Sequence, residues 1–168
     1  MRTAMRLALG FALFLPSCAA SSQPLPPDAL VLPGSAAARL LRQCSRQTPV
    51  PGEATWTPGS EEIARLESAL AEAIAPRAEI RRSHYSSDPD WARVPEGWRR
   101  QYVGIVRGGR SFIYGNFFPR REGEFALGEP SWPDLEPRII CDGGAIFFGV
   151  EYDVEAGRFT QIAFNGEI

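Results

Sequence analysis

Residues 145–152 (AIFFGVEY) and 159–164 (FTQIAF) are two apolar runs joined by DVEAG at 153–157. A connection of this length ending in glycine, which takes positive φ without strain, closes a hairpin built on a type I turn. In that pairing Phe148, Val150 and Tyr152 share one face, and Ile162 and Phe164 meet them from the partner strand. Cys141 opens the segment and the turn dipeptide Asn165-Gly166 closes it. It is expected to form the inner hairpin of an antiparallel sheet, fastened on one side by a disulfide.

A second hairpin is written at 102–114. YVGIVR and RSFIY flank Gly108-Gly109, a two-residue loop suited to a primed turn. This register sets Val103 opposite Tyr114, Ile105 opposite Phe112 and Val106 opposite Ser111, and the strand continues to Pro119. Tyr102, Ile113 and Phe117 fall on one face, and Val103, Ile105, Phe112 and Tyr114 on the other. A helix covers one of these faces; the other needs a loop or a partner, because large apolar patches rarely stay exposed.

The helix comes from 58–75, where Ile63, Leu66, Leu70 and Ile74 recur at spacings of three and four. Glu61, Arg65, Glu67 and Glu72 lie elsewhere on the wheel, and Pro76 stops it. Thr57 is the expected cap with Pro58 at the first helical position, and Ser60 is the alternative cap. A shorter helix is expected over 36–44, capped by Ser35, with Cys44 on its buried face. Residues 79–84 read as a short strand, 83–96 as an irregular loop turning at Asp88-Pro89-Asp90, and 120–137 as a long surface loop. The sheet is expected to resume over 138–141. The fold class is therefore α+β, a helix on a curved antiparallel sheet of four or five strands with one disulfide.

The chain begins like an export signal. Arg2 and Arg6 precede an apolar run at 7–15, too short for a membrane span of about 20 residues. Leu15-Pro16-Ser17-Cys18 resembles a bacterial lipobox, with Leu at −3, a small residue at −1 and the cysteine that takes lipid. Residues 1–17 are then the signal peptide and Cys18 the lipidated first residue; the alternative is ordinary cleavage after Ala19 or Ala20. Several acyl chains, at about 0.8 kcal/mol per buried methylene, anchor a protein firmly. Ala19 after the cysteine implies the outer membrane, and a soluble periplasmic protein is the alternative. Residues 18–34, with Pro24, Pro26, Pro27 and Pro33, read as a proline-rich tether leading to one globular domain at 35–168. The competing reading makes Leu30, Val31 and Leu32 a leading strand packed on the domain.

With Cys18 assigned to processing, Cys44 and Cys141 remain. In an exported protein an even count implies a disulfide. Two buried free thiols are the alternative; a metal site would need short-spaced cysteines or more than the single histidine present.

Chemistry is harder to find. His84 is the only histidine, so every His-dependent triad or metal cluster must pass through it. Asp88 and Asp90 lack the spacing and glycine of a calcium loop. Asp142-Gly143-Gly144 offers a carboxylate and free amides, but reads equally as a turn beside a disulfide. No metal or cofactor is called for. The charge balance, 18 basic residues against 20 acidic, lacks the basic excess of a nucleic-acid binder. Trp91, Trp98 and Trp132 sit in or beside expected loops near Arg99 and Arg100, residue types enriched at interface hot spots. These five are the candidate partner contacts.

Several local sequences carry a resemblance. They are Cys44-Ser45-Arg46, Trp56-Thr57-Pro58 ahead of a helix with Leu66-Glu67, residues 102–109, Cys141-Asp142-Gly143-Gly144, residues 148–153 and Phe164-Asn165-Gly166. As a set, covering most of the chain after Cys44, they resemble a group of small uncharacterised lipoproteins and periplasmic proteins of Gram-negative bacteria. The resemblance implies export and the disulfide, and with no activity assigned to the group it carries over no functional residue. A helix followed by an antiparallel meander also looks like the cystatin or nuclear-transport-factor layout, which speaks to shape alone. The function expected is a non-enzymatic envelope lipoprotein held to the membrane by lipid and binding an envelope protein or component. The rival is a small hydrolase or pocket protein using His84 or Asp142.

Overall fold

The computed structural model describes residues 24–77, 90–120 and 135–166. The leader, Cys18, the strand expected at 79–84, His84, Asp88 and Trp132 lie outside the described residues, as does most of the 120–137 loop.

Six strands form one sheet: β1 Ala29–Val31, β2 Ala54–Trp56, β3 Trp98–Arg107, β4 Arg110–Pro119, β5 Phe148–Asp153 and β6 Arg158–Phe164. Their order is β1-β3-β4-β5-β6, with β2 also beside β3. The sheet is mixed, because β1 runs parallel to β3 while every other pairing is antiparallel. This corrects the expected four- or five-stranded antiparallel sheet. The extra strands are short ones that cap the outer edge of β3, three residues each, below the length at which alternation can be read.

The β3–β4 hairpin has the expected register, with Val103 opposite Tyr114 and Ile105 opposite Phe112. Gly108 and Gly109 both take positive φ, 58° and 71°, as a primed turn requires. β3 starts at Trp98, four residues before the apolar run, because Arg99 and Arg100 have partners inside the protein. In the β5–β6 hairpin Phe148 pairs with Phe164 and Val150 with Ile162. Its turn is held by Gly157 N donating to the Asp153 carbonyl at 2.9 Å and Ala156 N donating to Asp153 Oδ1 at 2.9 Å. Of this hairpin's two strands only β5 is interior; among the described residues β6 is a sheet edge, a correction to the inner hairpin expected.

One face of the sheet carries Tyr102, Ile113, Phe117, Phe148, Val150 and Tyr152, packed by the long helix α2. That helix, preceded by the four-residue α1 Ala37–Leu40, spans Ser60–Ile74 and buries Ile63, Leu66, Leu70 and Ile74 completely. Its N-cap is Gly59, neither Thr57 nor Ser60: Gly59 N donates to Glu62 Oε2 at 2.9 Å, so a side chain in the first turn reaches back to satisfy the entry. Phe117 and Phe148 stack at 4.6 Å, and Trp98 donates its indole N–H to the Ile146 carbonyl at 2.8 Å.

The opposite face is covered by the chain's own N-terminal segment. Leu32, Ala37, Leu40 and Leu41 pack on Val103, Ile105, Phe112 and Tyr114. Residues 29–31 are therefore a strand, and the tether reading of 18–34 gives way at Ala29. Backbone bonds fix it: Arg100 N donates to the Asp28 carbonyl and Leu32 N to the Tyr102 carbonyl, each at 2.8 Å. The expected 36–44 helix shrinks to a 3-10 turn, Gly34–Ala36, and α1, with no side-chain cap from Ser35. Thr48 Oγ1 takes over the Leu41 carbonyl at 2.6 Å, and the chain turns away, leaving Cys44 exposed where burial was expected.

Cys44 and Cys141 are joined, 97 residues apart in sequence and 4.9 Å apart at Cα. The bridge ties the segment after α1 to the irregular stretch before β5.

Candidate functional site

The sheet face beneath the N-terminal segment is apolar at one end and polar at the other. Gln101, Asn116, Gly149 and Ala163 form one cross-strand row from β3 to β6. Gln101 and Asn116 are fully buried, and Asn165 nearly so. A buried carboxamide must be hydrogen-bonded, and each of these three has main-chain partners, Asn116 and Asn165 through their Nδ2 groups. Gln101 Oε1 accepts from Arg138 N at 2.8 Å while its Nε2 donates to the Glu136 carbonyl at 2.8 Å. Asn116 Nδ2 donates to the Arg138 carbonyl at 3.0 Å, and Asn165 Nδ2 to the carbonyls of Ile140 and Asp142 at 3.0 and 2.9 Å. Gln43 adds Nε2 to the Arg138 carbonyl at 2.9 Å and accepts from Ile140 N at 3.2 Å. Residues 136–142 are thus held flat on the sheet by side-chain amides in place of a ladder, which corrects the strand expected at 138–141.

Arg46 lies over the same row. It is two residues past the bridged Cys44, and its guanidinium is buried, with the residue 8% exposed. Nη1 donates to Asn165 Oδ1 at 2.6 Å, Nη2 to Asn116 Oδ1 and to Tyr114 Oη, and Nε to Tyr114 Oη at 3.4 Å. Space for it exists because residue 149 is glycine: a Cβ there would lie 2.6 Å from Tyr114 Oη and 2.8 Å from Arg46 Nε. Burial pushes the Tyr114 hydroxyl pKa up, against the opposing pull of Arg46, so the phenol stays neutral.

All of Arg46's partners are neutral. No carboxylate among the described residues pairs with it. The buried carboxylates Glu67, Glu151 and Asp153, by contrast, are matched. Glu67 of α2 takes two bonds from Arg100, both at 3.0 Å, and one from Tyr102 Oη at 2.7 Å. Glu151 takes two from Arg107, at 2.9 and 2.8 Å, and one from Thr160 Oγ1 at 2.7 Å. Asp153 pairs with Arg110. A buried cation without a counter-charge is costly unless something compensates it.

Arg46 also lines a groove of about 580 Å³. One wall is the strap at 44–47, and the other is Ile162, Ala163 and Phe164 of β6 with Gly166. Gly166 N bonds Ser45 at the carbonyl and at Oγ, both 3.1 Å, and Gln161 Nε2 donates to the Gln47 carbonyl at 3.1 Å, which fixes the strap against the last strand. Because β6 is an edge, alternate N–H and C=O groups along it point away from β5.

The surface expected from tryptophan and arginine is not assembled here. Trp98, Arg99 and Arg100 are buried, 2%, 7% and 5% exposed, because they belong to β3 and not to a loop. Trp91 is half-buried and packs on Trp98, Phe148 and Phe164. Four of the five residues expected at a partner surface are thus accounted for by core packing or internal pairing, and Trp132 lies outside the described residues. Asp142 is exposed and contributes its carbonyl, not its carboxylate, to the amide network. The signal for the polar centre was present in the alternation. Asn116 is in phase with Phe112, Tyr114 and Phe118, and Gln101 with Val103 and Ile105, so each is an inward polar residue in an apolar stripe.

Comparisons with protein-family models, with curated proteins and with solved structures return no match.

Proposed function

We propose that this chain is an exported, lipid-anchored protein of the bacterial envelope whose domain binds a partner component in the groove between the 44–47 strap and β6. Arg46 carries the reading: a buried guanidinium, held by neutral oxygens alone, lines an open groove beside the outer edge of β6, which has no further strand partner among the described residues. Export is supported by the leader pattern ending at Cys18 and by a disulfide compatible with an oxidising compartment. The role is binding: the groove supplies one fixed positive charge and strand-edge backbone, which recognise a ligand.

Site-directed photocrosslinking in the native host tests this. A photoreactive residue at Gln47, exposed on the groove's strap, is expected to give a discrete adduct that disappears on Arg46→Gln. The same group at Glu72, exposed on α2, is expected to give none. No adduct at Gln47, or equal adducts at both positions, contradicts the assignment.

A further inference from the structure

We propose that the groove takes the terminal carboxylate of an extended peptide, with Arg46 as its receptor and β6 as the strand it lies against. The inference rests on the groove being the binding site and goes on to name the chemistry bound there. A guanidinium has five N–H groups, and the four bonds made to Tyr114, Asn116 and Asn165 leave one Nη1 hydrogen without an acceptor among the described residues. The positive charge is likewise unanswered. A carboxylate supplies both an acceptor and a counter-charge, and planar guanidinium–carboxylate contact is the strong form of that bond.

The surroundings select an extended chain over a bare anion. From Arg46 the row steps across Gly149 to Ala163, the two smallest side chains on that face, and then to the sheet edge. Nothing bulky in the row blocks the path from the rim to the guanidinium. Along the rim, β6 offers backbone donors and acceptors at strand spacing that no other strand among the described residues takes up, the surface on which peptides add as a further strand. The side chains of Ile162 and Phe164 pack on the α2 side of the sheet, so this stretch of the rim meets a peptide with its main chain.

The test is an NMR titration of the isotope-labelled oxidised protein with N-acetyl-trialanine as the free acid, with its C-terminal amide, and with sodium acetate at matched ionic strength. The free acid is expected to give saturable shifts of the Arg46 Nε–H and of the β6 amides. The amide should bind at least roughly tenfold more weakly, the equivalent of one charge-assisted hydrogen bond. Arg46→Gln should lose the acid-specific shift. Because that variant also disturbs the Asn116–Asn165 network, Ala163→Leu is the second variant: it narrows the groove without touching Arg46's bonds, and is expected to lose binding while keeping the spectrum of the folded domain. Equal binding of acid and amide, or no shift at Arg46, overturns the proposal. Acetate matching the peptide acid overturns the peptide assignment and leaves a bare anion site. If the peptide fails while crosslinking at Gln47 still captures a partner, the carboxylate chemistry falls and the groove remains; if both fail, the groove falls with it.

Discussion

Replacing Cys44 and Cys141 together by Ala is expected to lower the unfolding free energy by about 4–5 kcal/mol. The bridge spans 97 residues of sequence, and in the chain-entropy model closing a loop of that size removes about this much free energy from the unfolded ensemble. For a domain of this size the melting temperature should fall by roughly 15 °C. The loss has a local side as well. The strap that carries Arg46 is attached to the rest of the fold by the bridge, by the Ser45–Gly166 bonds and by the Gln47–Gln161 bond. Without the covalent link, amide exchange should rise first at 44–47 and 164–166. Thermal unfolding of the double variant beside the oxidised wild type checks this, and an unchanged melting temperature contradicts it.

Glu67→Ala should cost a similar amount for a different reason. Glu67 projects from α2 onto the sheet, and its carboxylate answers both Arg100 and Tyr102. The side chains of Arg100 and Glu67 are 6% and 10% exposed. Burial pushes the Arg100 pKa down, but its bonds to Glu67 outweigh that and the net shift is upward. Burial also drives the Tyr102 hydroxyl well above its ordinary pKa, with the Glu67 charge adding to it, so Tyr102 remains a donor. Removing the carboxylate leaves a charged guanidinium and a phenol buried without their acceptor, which costs about 3–5 kcal/mol for the ion pair. The diagnostic is the double variant. Glu67→Ala with Arg100→Met removes the stranded charge, and it should recover most of the loss, because an apolar replacement of a buried pair is often close to neutral. Chemical denaturation of the two single variants and the double variant gives the coupling. If Glu67→Ala loses less than about 1 kcal/mol, in the range of a surface pair, the buried triad is contradicted.

How much of this was readable beforehand follows from what each residue's neighbours are. The two hairpins were legible because their evidence is local. Gly108-Gly109 fixes the turn, the turn fixes the register, and Val103 and Ile105 then meet Tyr114 and Phe112 as observed. The apolar face of α2 was legible for the same reason, since Ile63, Leu66, Leu70 and Ile74 declare it within four turns. The disulfide needed only the compartment and a count. What escaped was long-range pairing. Glu67 sits on the helix wheel like a solvated residue and is buried because Arg100 and Tyr102, thirty-odd residues on, come to meet it. Arg99 and Arg100 looked like loop surface because charge usually means exposure, and β3 was drawn too short as a result. Strand β1 was open only as the competing reading of Leu30, Val31 and Leu32, and β2 was out of reach, because three residues carry no period. The candidate site was half legible. Asn116 and Gln101 broke an apolar alternation in view, but Arg46 is placed by the bridge at Cys44 and by the absence of a side chain at Gly149, a hundred residues away.

The central claim is that this domain matures outside the cytoplasm with Cys44 bonded to Cys141, the strap and its arginine pinned against the last strand. Mass spectrometry of the protein recovered from its own cells, digested with thiols blocked and without reductant, tests it most directly. A linked peptide pair containing Cys44 and Cys141, on a chain beginning at acylated Cys18, is the predicted result. Free, alkylated thiols at both positions on a chain that retains residues 1–17 would contradict it.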